Sequence, residues 1–293
     1  MNKTVEYGII FFSWISGVIL IGTIGGLLFF LLYKAVPSIN IPLIFGKIRP
    51  IDALLLRKEV LDGLFPAISG TLLLVSASII WAVPLGISAG VYMAEYSSPK
   101  QKICFNLLLD ILAGIPSIVV GLFGFTLAII LHKYLSERIC PSFLISSIAL
   151  SALILPYIVR ATEQSIESTP FSIKTTCILL GGSKLQNIIH VLIPYNISGI
   201  ISGIILAAGR CAEDTAVIML TGVVAMAGLP SSIFSGYEAL PFYIFYISSN
   251  FSSQEELATG FGASIILLIL CAFLFTIAFI IKQKVATRFA GHT

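Results

Sequence analysis

Six long apolar runs, at about 9–33, 68–94, 103–131, 143–159, 197–224 and 260–281, alternate with shorter polar intervals along the chain. Roughly 20 apolar residues let a helix cross a hydrocarbon layer, so each run predicts a membrane-spanning helix. An even number of spans places both chain ends on one face. One interval departs from the rest: from Arg160 to Pro194 the chain is polar and amphipathic. Ile173, Cys177 and Leu180 recur at helical spacing, and Leu185, Ile188, Ile189 and Leu192 share the face of a second stretch. Pro170 suits a first helical turn. Gly181-Gly182 supplies the left-handed turn that ends a helix, and Pro194 is expected to end the next. Two short helices around a glycine bend are predicted between the fourth and fifth spans.

The other intervals add less. Residues 34–67 carry Pro37, Pro42, Pro50 and Pro66 and predict an ordered loop with a short interfacial helix. Residues 228–259 contain Phe242, Tyr243, Phe245 and Tyr246, the aromatic content of a segment at headgroup level. Gly86 with Gly90 and Gly199 with Gly203, with Gly121 and Gly124 close together, have the spacing that lets helices pack closely.

Composition agrees with the pattern. With 57% hydrophobic and 11% charged residues and a mean hydropathy of +1.03, the chain is an integral membrane protein rather than a soluble domain. A net charge of +3, spread along the chain, gives nucleic acid no footing. Five scattered cysteines without Cys-x-x-Cys spacing form neither a disulfide framework nor a zinc site. His132, His190 and His292 are far apart, so no metal site and no cofactor is expected. The first apolar run is too long for a cleaved leader and is read as a retained span. Lys and Arg divide almost evenly between the two sets of loops. The basic C-terminal tail, and the absence of Lys and Arg from 228–259, favour both termini on the cytoplasmic side.

Charge inside an apolar run is the main chemical signal. Arg210 falls roughly 20 Å into the fifth span at 1.5 Å per residue, where a charge costs several kcal/mol and faces a bundle interior or a watery path. Glu213 and Asp214 follow at i+3 and i+4, expected on the same helical face, with Thr215 next. Two readings compete: an ion pair that locks the span in place, and a path-lining cluster whose guanidinium fork meets two oxygens of a passing oxyanion. Arg160, closing the fourth span, either snorkels to the interface or joins that path. Asp110 reads as interfacial, and Pro116 is expected to kink or break the third span. No catalytic site emerges. Gly181-Gly182-Ser183-Lys184 is not a phosphate-binding loop, and Ser117 lacks a nucleophile-elbow pattern. Any ATP-driven work would need an engine on another chain.

Three stretches carry a family resemblance: Trp81 to Tyr96, Leu112 to Gly124 with its Pro-Ser-Ile-Val-Val-Gly-Leu-Phe-Gly run, and Leu155 to Glu163. They resemble the phosphate-specific (PstA-type) permeases of ABC importers, over about residues 63–222. The polar interval is similar to the coupling loop of ABC importer permeases, with Pro194 as anchor and Gly181 as its glycine. Thr175-Thr176-Cys177 stand where that pattern has Glu-Ala-Ala. The family's Arg-Ala-x-Gly-Glu-Thr-Ala-Pro is met by Arg210-Cys211-Ala212-Glu213-Asp214-Thr215-Ala216-Val217, with Glu213 in place of glycine. The resemblance implies an all-α fold: six transmembrane helices in a type I importer (MetI-like) bundle. It implies a single permease domain, 1–293, with its core at about 63–282 and a cytoplasmic coupling loop at about 161–195. It also implies a prokaryotic cytoplasmic membrane and no catalytic site of its own. Arg210, Asp214, Thr215 and Arg160 become substrate-path candidates, joined by Glu213, which has no precedent in the pattern. Thr175, Thr176, Cys177, Gly181, Gly182 and Pro194 become ATPase-coupling candidates. The implied partners are a homologous permease subunit, two ATPase subunits, an extracytoplasmic phosphate-binding protein, phosphate and lipid. A permease of the same class for sulfate or molybdate is the alternative, and a proton-coupled carrier using Asp110, Arg160, Glu213 and Asp214 is a more distant one.

Overall fold

The computed structural model describes residues 3–55, 60, 63–135 and 140–290; Arg57, Lys58, Arg138 and His292 lie outside these. Helix α1 (Lys3–Ala35) runs into a 3-10 turn, and two short helices follow, α2 (Ile41–Phe45) and α3 (Pro50–Leu54). Next come α4 (Phe65–Glu95), α5 (Pro99–Gly114), α6 (Ser117–Tyr134) and α7 (Phe143–Glu167). The polar interval forms α8 (Phe171–Leu179) and α9 (Lys184–Asn187), which continues through a π turn into α10 (Ile193–Glu213). Helices α11 (Ala216–Thr221), α12 (Leu240–Asn250) and α13 (Gln254–Ala290) complete the chain. Among the described residues, six helices are long and apolar enough to cross a membrane. The fold is all-α.

Helix α7 is the centre of the bundle. In the most apolar window of α7, 56% of residues are buried, against none in α1, which packs mainly along α13 and a neighbouring turn. Leu150, Ile154 and Ile158 of α7 meet Leu74, Val75 and Ala82 of α4 and Ala207 and Cys211 of α10. Small residues make this possible. A β-carbon on Gly86 would lie 2.7 Å from the Ile158 side chain, and one on Gly90 2.8 Å from the Val159 carbonyl. Gly203 presses against Ala161, and Gly199 against Ser165, so α10 lies as close to α7 as α4 does.

One expected break and two departures from the sequence expectations matter for the site. As expected at Pro116, the third span is two helices, broken at Ile115-Pro116, because the residue before proline is driven to extended geometry (Ile115 φ −66°, ψ 128°). The fifth span is also broken: Asp214 is extended (φ −75°, ψ 121°) and its carboxylate accepts from the Val217 amide at 2.8 Å, capping α11. Pro194, expected to stop a helix, sits instead in the first turn of α10. The π turn before it pairs the Ile193 amide with the Ile188 carbonyl, an i→i+5 bond, so the missing proline amide leaves no break.

Candidate functional site

The polar interval folds as a compact two-helix loop. Pro170 precedes α8, and the chain turns at Gly181, whose φ of +86° is the left-handed conformation that favours glycine. The Gly181 amide donates to Ile178 and the Gly182 amide to Cys177, closing the end of α8. Ser183 and Gln186 then cap α9 reciprocally. The side chain of Asn187 donates to the Lys174 carbonyl at 2.7 Å and locks the second helix to the first. One face is buried: Ile166, Ile188 and Leu192 pack on Val91 and Ala94 of α4. The opposite face is apolar yet bare, with Phe171, Leu179 and Leu180 each at least 80% exposed and Leu185 at 60%. Leu185 and Ile189 therefore do not share the buried face of Ile188 and Leu192. The hydroxyls of Thr175 and Thr176 are engaged by carbonyls one turn back, at Phe171 and Ser172. Cys177 lies under Gly182.

Arg160 is clamped rather than open. One guanidinium nitrogen donates to Asn106 Oδ1 at 2.6 Å; the other donates to the Asn106 carbonyl at 3.0 Å and to Asp110 at 2.6 Å. Glu163, only 2% exposed, lies 3.6 Å from Arg160 and 3.7 Å from Lys102, and Lys102 also pairs with Glu167. Both charge patterns were present in the sequence. Asn106 and Asp110 are one turn apart on α5, and Arg160, Glu163 and Glu167 are one turn apart on α7. Only their mutual approach was hidden.

Arg210 has the opposite environment. It is exposed near the end of α10, and among the described residues no carboxylate pairs with it. The expected ion pair does not form among the described residues: Asp214 lies beyond the end of α10, and Glu213, still at i+3 on that helix, makes none with Arg210. Glu213 is exposed, while Asp214 is buried and turned onto α11. Thr215, half-buried, follows Asp214 at the head of α11. Among the described residues no cluster of three potential metal ligands forms.

At the opposite end of the bundle, residues 222–240 fold over the starts of α4 and α7. The Phe143 and Leu144 amides donate to Ser235 and Ile233, and the Leu240 amide donates to Thr71 Oγ1 at 2.9 Å. Glu238 is buried there and accepts from the Gly228 amide at 2.8 Å, and burial pushes its carboxyl above the usual range.

Residues 82–288 match the family model for the inner membrane component of binding-protein-dependent transport systems. The chain belongs to that family. A phosphate transport system permease protein PstA of Haemophilus influenzae is 30% identical over 274 residues, covering 93% of this chain and 92% of its own. A PstA of Mycobacterium leprae is 34% identical over 217 residues, covering 73% of this chain and 69% of its own. Among solved structures, a bacterial ABC transporter that imports alginate has a chain that superposes with a TM-score of 0.61 at 15% identity, covering 95% of this chain and 98% of its own. The MetNI methionine ABC transporter gives 0.54 at 14% identity, over 81% and 99%. The bundle is thus the type I importer permease fold, in a multi-pass inner membrane protein.

Proposed function

We propose that this chain is the permease subunit of an ATP-driven importer of inorganic phosphate, a single permease domain that carries no catalytic site of its own. The observation that carries the reading is the identity to PstA permeases along nearly the whole chain. The bare apolar tip of the 161–195 loop fits it. Phe171, Leu179 and Leu180 expose a surface that an ATPase subunit would cover, with Gly181 at its bend and Pro194 at its root. That docking puts the loop, and both chain ends, on the cytosolic side, and leaves residues 222–240 for an extracytoplasmic phosphate-binding protein. A homologous permease subunit completes the pathway. Arg210 faces that seam with an unpaired guanidinium, suited to two oxygens of a tetrahedral anion, while Arg160 holds α5 to α7 from within.

In proteoliposomes holding the assembled complex, phosphate uptake is expected to require ATP and the ATPase subunit. Uptake driven by a proton gradient alone would overturn the reading, and uptake blocked by excess sulfate or molybdate but not by phosphate would reassign the anion. Arg210→Ala is expected to abolish uptake while the complex still assembles.

A further inference from the structure

The loop at 161–195 continues by chain into α7 and α10, but it has no covalent connection to α4. Its contacts with α4 are nevertheless specific. The Lys184 ammonium donates to the Glu95 carbonyl at the last residue of α4 and sits 4.2 Å over the Tyr96 ring. Tyr96 in turn stacks on Tyr92, one turn back, at a centroid distance of 6.2 Å. Lys174, from the other helix of the loop, lies 3.8 Å from the Glu95 carboxylate. Both loop helices therefore reach one residue, and the Asn187 bond to Lys174 closes the triangle between them. Beneath it, Ile166, Ile188 and Leu192 are buried against Val91 and Ala94.

Helix α4 carries that attachment across the bundle. It is continuous over 31 residues, Phe65–Glu95, and Pro84 does not interrupt it. Its far end is fixed as firmly as its near end. Gly70 backs onto the Glu238 carbonyl, and Thr71 accepts from the Leu240 amide. One rigid element thus touches the loop on one face and residues 222–240 on the other. At about 1.5 Å per residue it is long enough to cross the hydrocarbon layer.

We propose that Lys174 and Lys184, gripping Glu95 and Tyr96, make α4 the rod that carries displacement of the loop to residues 222–240 on the opposite face. The two lysines are positioning residues: they hold the loop and the rod in one body, so that a push on the loop moves the far face as well as α7 and α10. A cation suits this tie because it serves two acceptors at once, a helix-terminal carbonyl, where cations are favoured, and an aromatic face. Sliding of α9 past α4 would break both, and sliding of α8 would break the Lys174–Glu95 pair.

The inference rests on the function proposed above, and its test separates the two. In proteoliposomes holding the whole complex, phosphate taken up is measured against ATP hydrolysed. Failure of the unmodified complex to couple them refutes the functional reading itself. Lys184→Met is expected to lower the ratio about tenfold, and Lys184→Arg, which keeps the donor and the cation–ring contact, to stay within about twofold of the parent. A ratio unchanged in Lys184→Met would overturn the proposal. A second variant does not depend on that one folding well. Lys184→Cys with Tyr96→Cys, in a background with the native cysteines replaced, is bridged by a short cleavable bis-thiosulfonate. The ratio is expected to be low before linking, to recover on linking and to fall again on reduction. A linked complex that remains uncoupled would mean that loop and α4 must part during the cycle, and the rod would be refuted.

Discussion

Gly181 and Gly182 are adjacent in one turn, yet substitution at each should act through a different cause. At Gly181 the backbone φ is +86°, and a β-carbon would meet nothing within 4 Å, so bulk has room and only the conformation resists. Holding an L-residue in the left-handed region costs roughly 1–2 kcal/mol, and replacing glycine removes unfolded-state freedom worth about 0.4–1 kcal/mol. Gly181→Ala should therefore weaken the turn by about 1 kcal/mol, roughly a fivefold change in a local opening constant, and Gly181→Asn by less, since asparagine tolerates this region. At Gly182 the backbone is ordinary, but a β-carbon would run into Cys177 Sγ and lie 2.9 Å from the Cys177 carbonyl. Gly182→Ala must push the two residues apart, and Cys177→Ala should recover part of that loss, because it removes the sulfur and leaves the carbonyl. Hydrogen exchange of the amides at 177–186, followed by mass spectrometry on the complex in nanodiscs, reads these openings directly. About fivefold faster exchange is expected for Gly181→Ala, less for Gly181→Asn, and a partial rescue only at position 182. Equal exchange in Gly181→Ala and Gly181→Asn, or rescue of Gly181→Ala by Cys177→Ala, would refute the division.

Arg160→Ala should destabilise the solubilised protein by about 1–3 kcal/mol, the cost of leaving a buried polar partner unsatisfied, since Glu163 loses one of its two cations. Asp110→Asn should cost well under about 1 kcal/mol, because Asp110 is 70% exposed; thermal melts of the two variants check the order. Gly203→Ala should lower the melting point, through about 1–3 kcal/mol of overpacking against Ala161, and Ala161→Gly should restore it. Glu238 titrates above its usual range because it is buried, so its charged form is the destabilising one. Stability of residues 222–240 should therefore rise as pH falls through the folded pKa towards the unfolded value. Glu238→Gln should flatten that dependence, read as exchange of the Gly228 amide between pH 5 and 8 after correction for intrinsic rates.

The six spans were legible because a hydrocarbon layer imposes one requirement, length of apolar sequence, that no tertiary contact overrides. The two-helix loop was legible for a related reason: Pro170, Gly181 and Gly182 act locally. Pro194 was misread because the same residue that ends a helix in its interior is tolerated in a first turn, and a π turn ahead of it removes the orphaned bond. The break at Asp214 escaped notice because Arg210, Glu213 and Asp214 have helical spacing, and nothing in that spacing tells an ion-pair partner from a helix cap. The Asn106–Asp110–Arg160–Glu163 cluster was half visible, since each helix shows its own turn-spaced polar pair. That they face each other depends on α5 lying back along α7, a consequence of the break at Pro116.

The two arginines carried by apolar runs have separate fates. Arg160 closes one run and Arg210 lies within another, and both would be costly if left unpaired in lipid. Arg160 is met by Asn106, Asp110 and Glu163, and its position on α7, the most buried helix, makes it a fastening between helices. Arg210 loses Asp214, its i+4 acid, because Asp214 is drawn away to cap α11. On the function proposed above, its guanidinium meets a counter-charge on an adjoining subunit or on a passing anion. On that reading the helix break at Asp214 is what frees Arg210 for such a contact. Restoring helix through that point, by replacing Asp214 with a residue that cannot cap, should weaken anion handling even with Arg210 intact.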